Sequence, residues 1–460
     1  MEHQTLLLFY RMEFGKHIGK GLWASADKAL PAVYGIGIIF LVIRVLPEHE
    51  YGAFSLIQSI IAFTVGLGTA FALQPLTKFA AETDEPGGYI VSSLFLQFIF
   101  YVILTCGIFV FREKLADVFD PKHQIDLVPL FNFIPFVFLT AFYRNFAVSL
   151  LAAKYQIQKI FWIDAVFFLG VPLFIYIASK FHYFHTAADA LSVNVVAFAL
   201  STATAILMTR KEMSVKLAID RETFIKMWNF GKYSFVGNAM YALFTMLDIL
   251  FVSSYLGIVA VAVYSAAKVF MRLYDMVSQV LAMFLVPFSS KAYSAGERDK
   301  LQQTAEKAVC FSSLLLLPLF LILFLFPDAV LQILYKGKYA QAAGILRVFS
   351  LLAFIVPWNA VVTSYIVGTG KVKEVLYFSV ILIAIAVPSY AFLTSLFGAV
   401  GTSIGLVFSF LVVTLLLVRY LQQIIPLKVL SVIKRTKDAL MFVKTKLRIV
   451  YNIFTKKMLG

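Results

Sequence analysis

Long apolar runs broken by short polar connectors set the pattern of the chain. About 20 apolar residues suffice to cross a bilayer as a helix. Twelve such spans are predicted, at 21–46, 53–73, 89–111, 127–150, 160–179, 190–209, 231–255, 259–287, 308–326, 344–366, 375–396 and 401–418. The segments on the side of the N-terminus carry 27 Lys and Arg, against six on the other side. Basic connectors stay in the cytoplasm, so both termini are expected there. The far-side loops are short, the longest being 327–343, which leaves no room for an extracytoplasmic catalytic domain. The first twenty residues mix charged and apolar positions throughout, so no cleavable signal peptide is expected.

Residues 419–460 follow another pattern. Leu430, Ile433, Leu440, Val443, Leu447, Val450 and Phe454 recur mostly at three- or four-residue spacing among ten Lys and Arg. An amphipathic helix on an anionic inner leaflet is expected, each basic residue contributing about 1 kcal/mol near the surface. The alternative is a partner-binding or disordered tail.

Patterns also recur at the scale of half the chain. The hinge LPEHEYGAFSLIQSI (46–60) overlays LGIVAVAVYSAAKVF (256–270), Pro75 and Lys78 overlay Pro287 and Lys291, and Lys154 overlays Lys371. Three matches in the same order imply two six-span halves of equal orientation, related by an axis along the membrane normal. The expected organisation is a cytoplasmic segment 1–20, a six-helix bundle 21–209, a cytoplasmic linker 210–230, a second bundle 231–418 and a basic tail 419–460.

Polar positions within the spans carry the candidate chemistry. On the eighth span Ser265, Lys268, Arg272, Asp275 and Gln279 are spaced 3, 4, 3 and 4. On a continuous helix they share one face. The seventh repeats the pattern with Ser234, Asn238, Tyr241, Thr245 and Asp248. Three ionised groups facing lipid would cost on the order of 8–10 kcal/mol, so this face must meet protein or water. One reading is a packing network in which Asp275 pairs with Arg272 or Lys268. The other is a wet anion site, because the spans hold seven basic residues, Lys28 and Arg144 among them, against the four acids Asp27, Asp164, Asp248 and Asp275. Phosphate and pyrophosphate suit such cations. Asp248, on a polar face within a span, is the candidate carboxylate for H+ or Na+ coupling.

Composition narrows the class. The 460 residues are 61% hydrophobic and 14% charged, with a mean hydropathy of +0.87. That is an all-α polytopic membrane protein, not a soluble domain. The net charge of +15 would suggest nucleic acid in a soluble protein. Here much of it lies in the tail and the spans, and no nucleic-acid partner is expected. Cys106 and Cys310 lie in apolar runs, the six His lack ligand spacing, and GTGK at 368–371 is not a phosphate-binding loop. No metal, disulfide, cofactor or ATP hydrolysis is expected, and the chain is not expected to be an enzyme.

RVLPEHEYGAFSLIQSI (44–60), the FGKYSFVGNAMYALFTMLDILFVSSYLGIVAVAVYSAAKVF stretch (230–270) and FSSKAYSAGERDKLQ (288–302) resemble the polysaccharide transporter family. These are bacterial O-antigen and exopolysaccharide repeat-unit flippases of the multidrug/oligosaccharidyl-lipid/polysaccharide (MOP) superfamily. The resemblance implies twelve helices in two six-helix bundles related by a pseudo-twofold axis, as in MATE transporters, a central cavity and alternating access. It also implies an undecaprenyl-pyrophosphate-linked oligosaccharide as substrate, moved between leaflets of the bacterial inner membrane. A polymerase and glycosyltransferases would be partners alongside membrane lipids. On that reading Lys28, Arg144, Lys268 and Arg272 hold the anionic headgroup, and Asn238, Tyr241, Thr245 and Gln279 face sugar hydroxyls. Asp248 and Asp275 tune charge or bind the coupling ion. The competing classes are a drug/cation antiporter, a membrane polymerase or glycosyltransferase, and a scaffold for polysaccharide assembly.

Overall fold

The computed structural model describes residues 23, 26–31, 33–35, 37–83, 85–213, 221–427 and 429–435. Nine of its helices are long and apolar enough to cross a membrane, and two further helix pairs, each bent by just over 40°, bring the number to as many as eleven. No strand occurs among the described residues. In hydrocarbon every backbone N–H and C=O must be satisfied within its own segment, which makes helices the natural outcome for such runs. The chain is a multi-pass membrane protein.

The helices are α1 (Ala26–Ile43), α2 (Glu48–Phe79), α3 (Gly87–Phe119), α4 (Val128–Ala153), α5 (Ile157–Lys180) and α6 (Ala187–Thr209). They continue as α7 (Arg221–Leu256), α8 (Ile258–Lys268), α9 (Met271–Ser294), α10 (Arg298–Leu325), α11 (Pro327–Tyr335) and α12 (Ala343–Ser350). The last are α13 (Leu352–Gly368), α14 (Val372–Leu421) and α15 (Val429–Lys434). Two compact units result: Met1–Val269 with Leu331–Ala342, and Phe270–Val330 with Ala343–Gly460. The division at Val269 falls inside the predicted eighth span rather than in the 210–230 linker.

In the first unit α4 packs on α6, α6 on α5, and α2 on α7 and α8. Pro75 shows how sequence shapes α2. Lacking an N–H, it leaves the carbonyl of Phe71 without its intrahelical donor, beside a π-helical turn at Thr69–Leu73. Gly231 of α7 sits against that same carbonyl, where any Cβ would collide with the oxygen. The far-side segment Leu331–Ala342 also belongs to this unit. Tyr339 is fully buried beside Tyr51 and Tyr335. Lys338 Nζ donates to the carbonyl oxygens of Leu46 and, at 3.4 Å, Ile43. It thereby satisfies carbonyls that the end of α1 leaves open.

In the second unit α13 packs on α9, α10 and α14. A straight helix of the 50 residues of α14 would be about 75 Å long, more than twice a hydrocarbon core. It is instead a hairpin. Gly398 takes φ 61° and ψ −142°. Thr394 Oγ1 lies 2.7 Å from Thr402 Oγ1, and a Cβ on Gly405 would lie 2.9 Å from the Tyr390 ring. Residues 15 apart in a continuous helix are separated by about 22 Å, so the two arms run back against each other. They correspond to the predicted spans 375–396 and 401–418.

Two expectations change. The predicted eighth span is two helices, α8 ending at Lys268 and α9 starting at Met271. Its five-residue polar stripe therefore straddles the break, with Ser265 and Lys268 on α8 and Arg272, Asp275 and Gln279 on α9. In α7, Arg221–Gly237 and Ala242–Leu256 meet at 43°. The stripe from Ser234 to Asp248 bends in its middle. Of the predicted tail helix only α15 is seen, and 436–460 lie outside the described residues.

Candidate substrate and ion site

Within the first unit's spans, Asp248 with Lys268, and Asp27, Lys28, Arg144 and Asp164 together, form two clusters that each pair a cation with a carboxylate. Burying a lone ion costs several kcal/mol, and both clusters solve that problem in the same way.

At the end of α8, Lys268 reaches back to α7. Its Nζ donates to Asp248 Oδ1 at 2.7 Å and to the Thr245 carbonyl at 2.8 Å. The Asp248 side chain is fully buried. It also accepts from the Tyr264 hydroxyl at 2.9 Å and from the backbone N–H of Ile249 at 2.8 Å. Four residues of spacing put Tyr264 and Lys268 on one side of α8, which presents a hydroxyl and an ammonium to a single carboxylate.

The second cluster joins α1, α4, α5 and α6. Arg144 forms a salt bridge with Asp164 Oδ1. Its Nε donates to Ser201 Oγ at 3.1 Å and its Nη1 to Asn145 Oδ1 at 2.9 Å. The guanidinium lies 5.3 Å from the Phe167 ring and 5.7 Å from the Phe198 ring. Asp27, 6% exposed, lies within electrostatic reach of both Arg144 and Asp164. Lys28 Nζ is 3.4 Å from Asp27 Oδ2 and largely exposed.

Three of the four expected headgroup cations, Lys28, Arg144 and Lys268, thus carry acidic partners. These pairs are one-to-one, so the excess of seven basic residues over four acids in the predicted spans is unchanged. Asp27 and Asp164 were countable in the sequence as acids within apolar runs, but nothing in their spacing said which cation each would meet. Arg272, Asp275 and Gln279 are exposed on α9 and belong to the other unit. Asp248 is a buried partner of Lys268 rather than a member of an open stripe. Thr245 is exposed, but its hydroxyl donates to the Ala242 carbonyl at 2.8 Å. The side chains of Asn238 and Tyr241 lie outside the described residues. Among the described residues no group of His, Cys, Asp and Glu could hold a metal ion.

Outside the spans, Lys159 Nζ meets Glu212 Oε1 at 2.7 Å at the ends of α5 and α6. Burial pushes the Glu212 carboxyl up, but hydrogen bonds from Lys159 and Gln156 and the charges of Lys159 and Lys154 outweigh it and hold it low.

Helical spans with paired charges define a polytopic membrane protein, and similarity to solved structures gives the fold. The lipid II flippase MurJ in an inward closed conformation superposes with a TM-score of 0.73 at 11% identity, covering 93% of this chain and 92% of that one. An inward-facing MATE family transporter of the MOP superfamily gives 0.70 at 16% identity, covering 87% and 97%. By sequence, the family described as "Polysaccharide biosynthesis protein" matches residues 41–344, and the chain belongs to it. The probable low-salt glycan biosynthesis flippase Agl15 of Haloferax volcanii is 19% identical over 413 residues, covering 86% of this chain and 82% of that protein. The uncharacterized membrane protein MJ1068 of Methanocaldococcus jannaschii is 23% identical over 218 residues. That match spans 46% of this chain and 42% of the relative.

Proposed function

We propose that the chain is a flippase for a polyprenyl-pyrophosphate-linked oligosaccharide, undecaprenyl being the carrier that the family resemblance implies. It moves the repeat unit of an O-antigen or exopolysaccharide from the inner to the outer leaflet of a bacterial cell membrane by alternating access, with both termini cytoplasmic. The observation that carries this reading is family membership across residues 41–344. Twelve crossings fit the same reading: the α14 hairpin supplies two, and each bent pair supplies one. An even number returns both termini to one side.

The ion pairs suggest how an anion and a coupling ion share one machine. A pyrophosphate competes with Asp248 for Lys268 and with Asp164 for Arg144. Protonating the carboxylate, or placing Na+ on it, releases the cation to the phosphate. Arg272 adds to headgroup binding, and Asp275 tunes its charge. Asn238, Tyr241, Thr245 and Gln279 are offered to sugar hydroxyls. Glycosyltransferase partners would act before flipping and a polymerase after it.

The test is flipping of a fluorescent polyprenyl-pyrophosphate oligosaccharide by the reconstituted full-length protein. Exchange between leaflets should exceed that of protein-free vesicles, and Lys268→Ala or Arg272→Ala should remove most of the excess. Folded protein that leaves the lipid in its original leaflet sinks the proposal. A second reading, a drug/cation antiporter, is favoured by one observation: Asp27 and Asp248 are buried carboxylates within the spans, where a cation could replace their Lys partners. It predicts cation-driven proton release with no dependence on the lipid-linked sugar.

A further inference from the structure

We infer a binding site for a lipid phosphate at the membrane face where α2 ends and α3 and α7 begin. Phe79 at the end of α2 is its floor, 6% exposed and part of the apolar core with Tyr89 and Phe230 packed against it. Its ring stacks on Tyr89, centroids 5.5 Å apart, and meets Phe230 edge-on at the same distance. Two lysines stand over this floor. Lys78 Nζ is 4.6 Å from the Phe230 ring centre and 5.2 Å from that of Phe79. Lys226 Nζ is 4.5 Å from Phe79 and donates to the Tyr89 hydroxyl at 3.2 Å. Both lysines are exposed, and the ion pairs of the described residues run elsewhere.

The chemistry of this cluster is that of donors. Each ammonium has three N–H bonds, of which the Tyr89 contact uses one. Having accepted from Lys226, the Tyr89 hydroxyl still has its own proton to donate. The same corner holds the start of α3, a 33-residue helix that opens Gly87-Gly88 with no side-chain cap on its first N–H groups. Uncapped N–H groups and the positive end of a long helix attract anions, phosphate above all. Among the described residues the acids nearby in sequence are Glu82 and Glu85, exposed on the preceding turn, and Glu222, exposed one turn before Lys226 on α7. Aromatic rings holding lysines at a helix end suit the headgroup level of a bilayer, where rings sit among acyl chains and ammoniums reach phosphate.

Two lipids carry that phosphate at this depth: an anionic membrane phospholipid and the pyrophosphate carrier. The site itself stands without the transport reading, and only its use as a loading point for the carrier rests on that reading. The test is lipid titration of the full-length protein in detergent, followed by native mass spectrometry. The probes are phosphatidylglycerol and polyprenyl pyrophosphate, with diacylglycerol and polyprenol as their phosphate-free counterparts. Both phosphate-bearing lipids should be retained over their counterparts. A Lys78→Ala/Lys226→Ala protein should bind them on the order of tenfold more weakly, while Lys78→Arg/Lys226→Arg keeps them. If the double alanine variant does not fold, Tyr89→Phe, which deletes only a donor, should weaken binding severalfold. Preference for polyprenyl pyrophosphate assigns a loading point, and preference for phosphatidylglycerol assigns a structural lipid. Unchanged binding by folded variants, or equal binding of the phosphate-free lipids, overturns the site. A protein that binds lipid phosphate here but does not flip it refutes the transport reading alone.

Discussion

The carboxylates of Asp27, Asp164 and Asp248 in the first unit's spans each keep a cation close by. Asp248 accepts hydrogen bonds from Lys268, Tyr264 and the Ile249 N–H with its side chain fully buried. Asp248→Asn leaves the ammonium without its counter-charge and should cost about 3 kcal/mol, the scale for breaking a buried pair. Adding Lys268→Met should restore more than half of that, read as unfolding midpoints in detergent. Glu212 offers a pH test. Its carboxyl is held below the ordinary glutamate range, so its contribution is present above the unfolded pKa of about 4.3. It is lost as pH falls through the lower folded value. Glu212→Gln should therefore destabilise by roughly 1–2 kcal/mol at pH 7 and flatten the stability profile between about pH 5 and 3. The sequence displayed every one of these charges and the need to neutralise them. It could not show that Arg144 meets Asp164 or that Lys268 meets Asp248, because those partners are 20 residues away on neighbouring helices.

Elements were legible where apolar length decides them and illegible where backbone geometry does. The apolar runs became helices because lipid permits little else. Gly398 marked the gap between two predicted spans, and its backbone explains why no longer loop is needed there. The pair φ 61° and ψ −142° strongly disfavours a side chain. Gly398→Ala should cost about 1–3 kcal/mol and lower the unfolding midpoint. Gly107→Ala in α3, where nothing lies within 4 Å of an added Cβ, should be neutral or stabilising. Breaks without a glycine or proline are harder to read. The junction of α8 and α9 falls at Val269 and Phe270, residues that fit a helix as well as its end. The helical period of the flanking polar residues continues across it, so a rule that assumes one straight helix draws a single stripe over residues of two helices.

At the scale of the whole chain the prediction concerns topology. On the proposed twelve-crossing reading, an even number of crossings and the basic connectors would place both termini on one side of the membrane. Cysteines introduced near residues 3 and 458, after Cys106 and Cys310 are replaced by Ser, should react with an impermeant maleimide only from the cytoplasmic side. Labelling of one terminus from each side would require an odd number of crossings. The sequence by itself determined that the chain is helical and membrane-embedded and, through its resemblance, its family, and it set an expectation for the face of the membrane each connector favours. These follow from apolar length, charge asymmetry and local pattern, all one-dimensional quantities. Only the tertiary structure decided which cation neutralises which carboxylate, where helices bend or split, and that α14 folds back on itself. Those depend on contacts between residues distant in sequence and on the backbone angles that bring them together, and neither has a period to read.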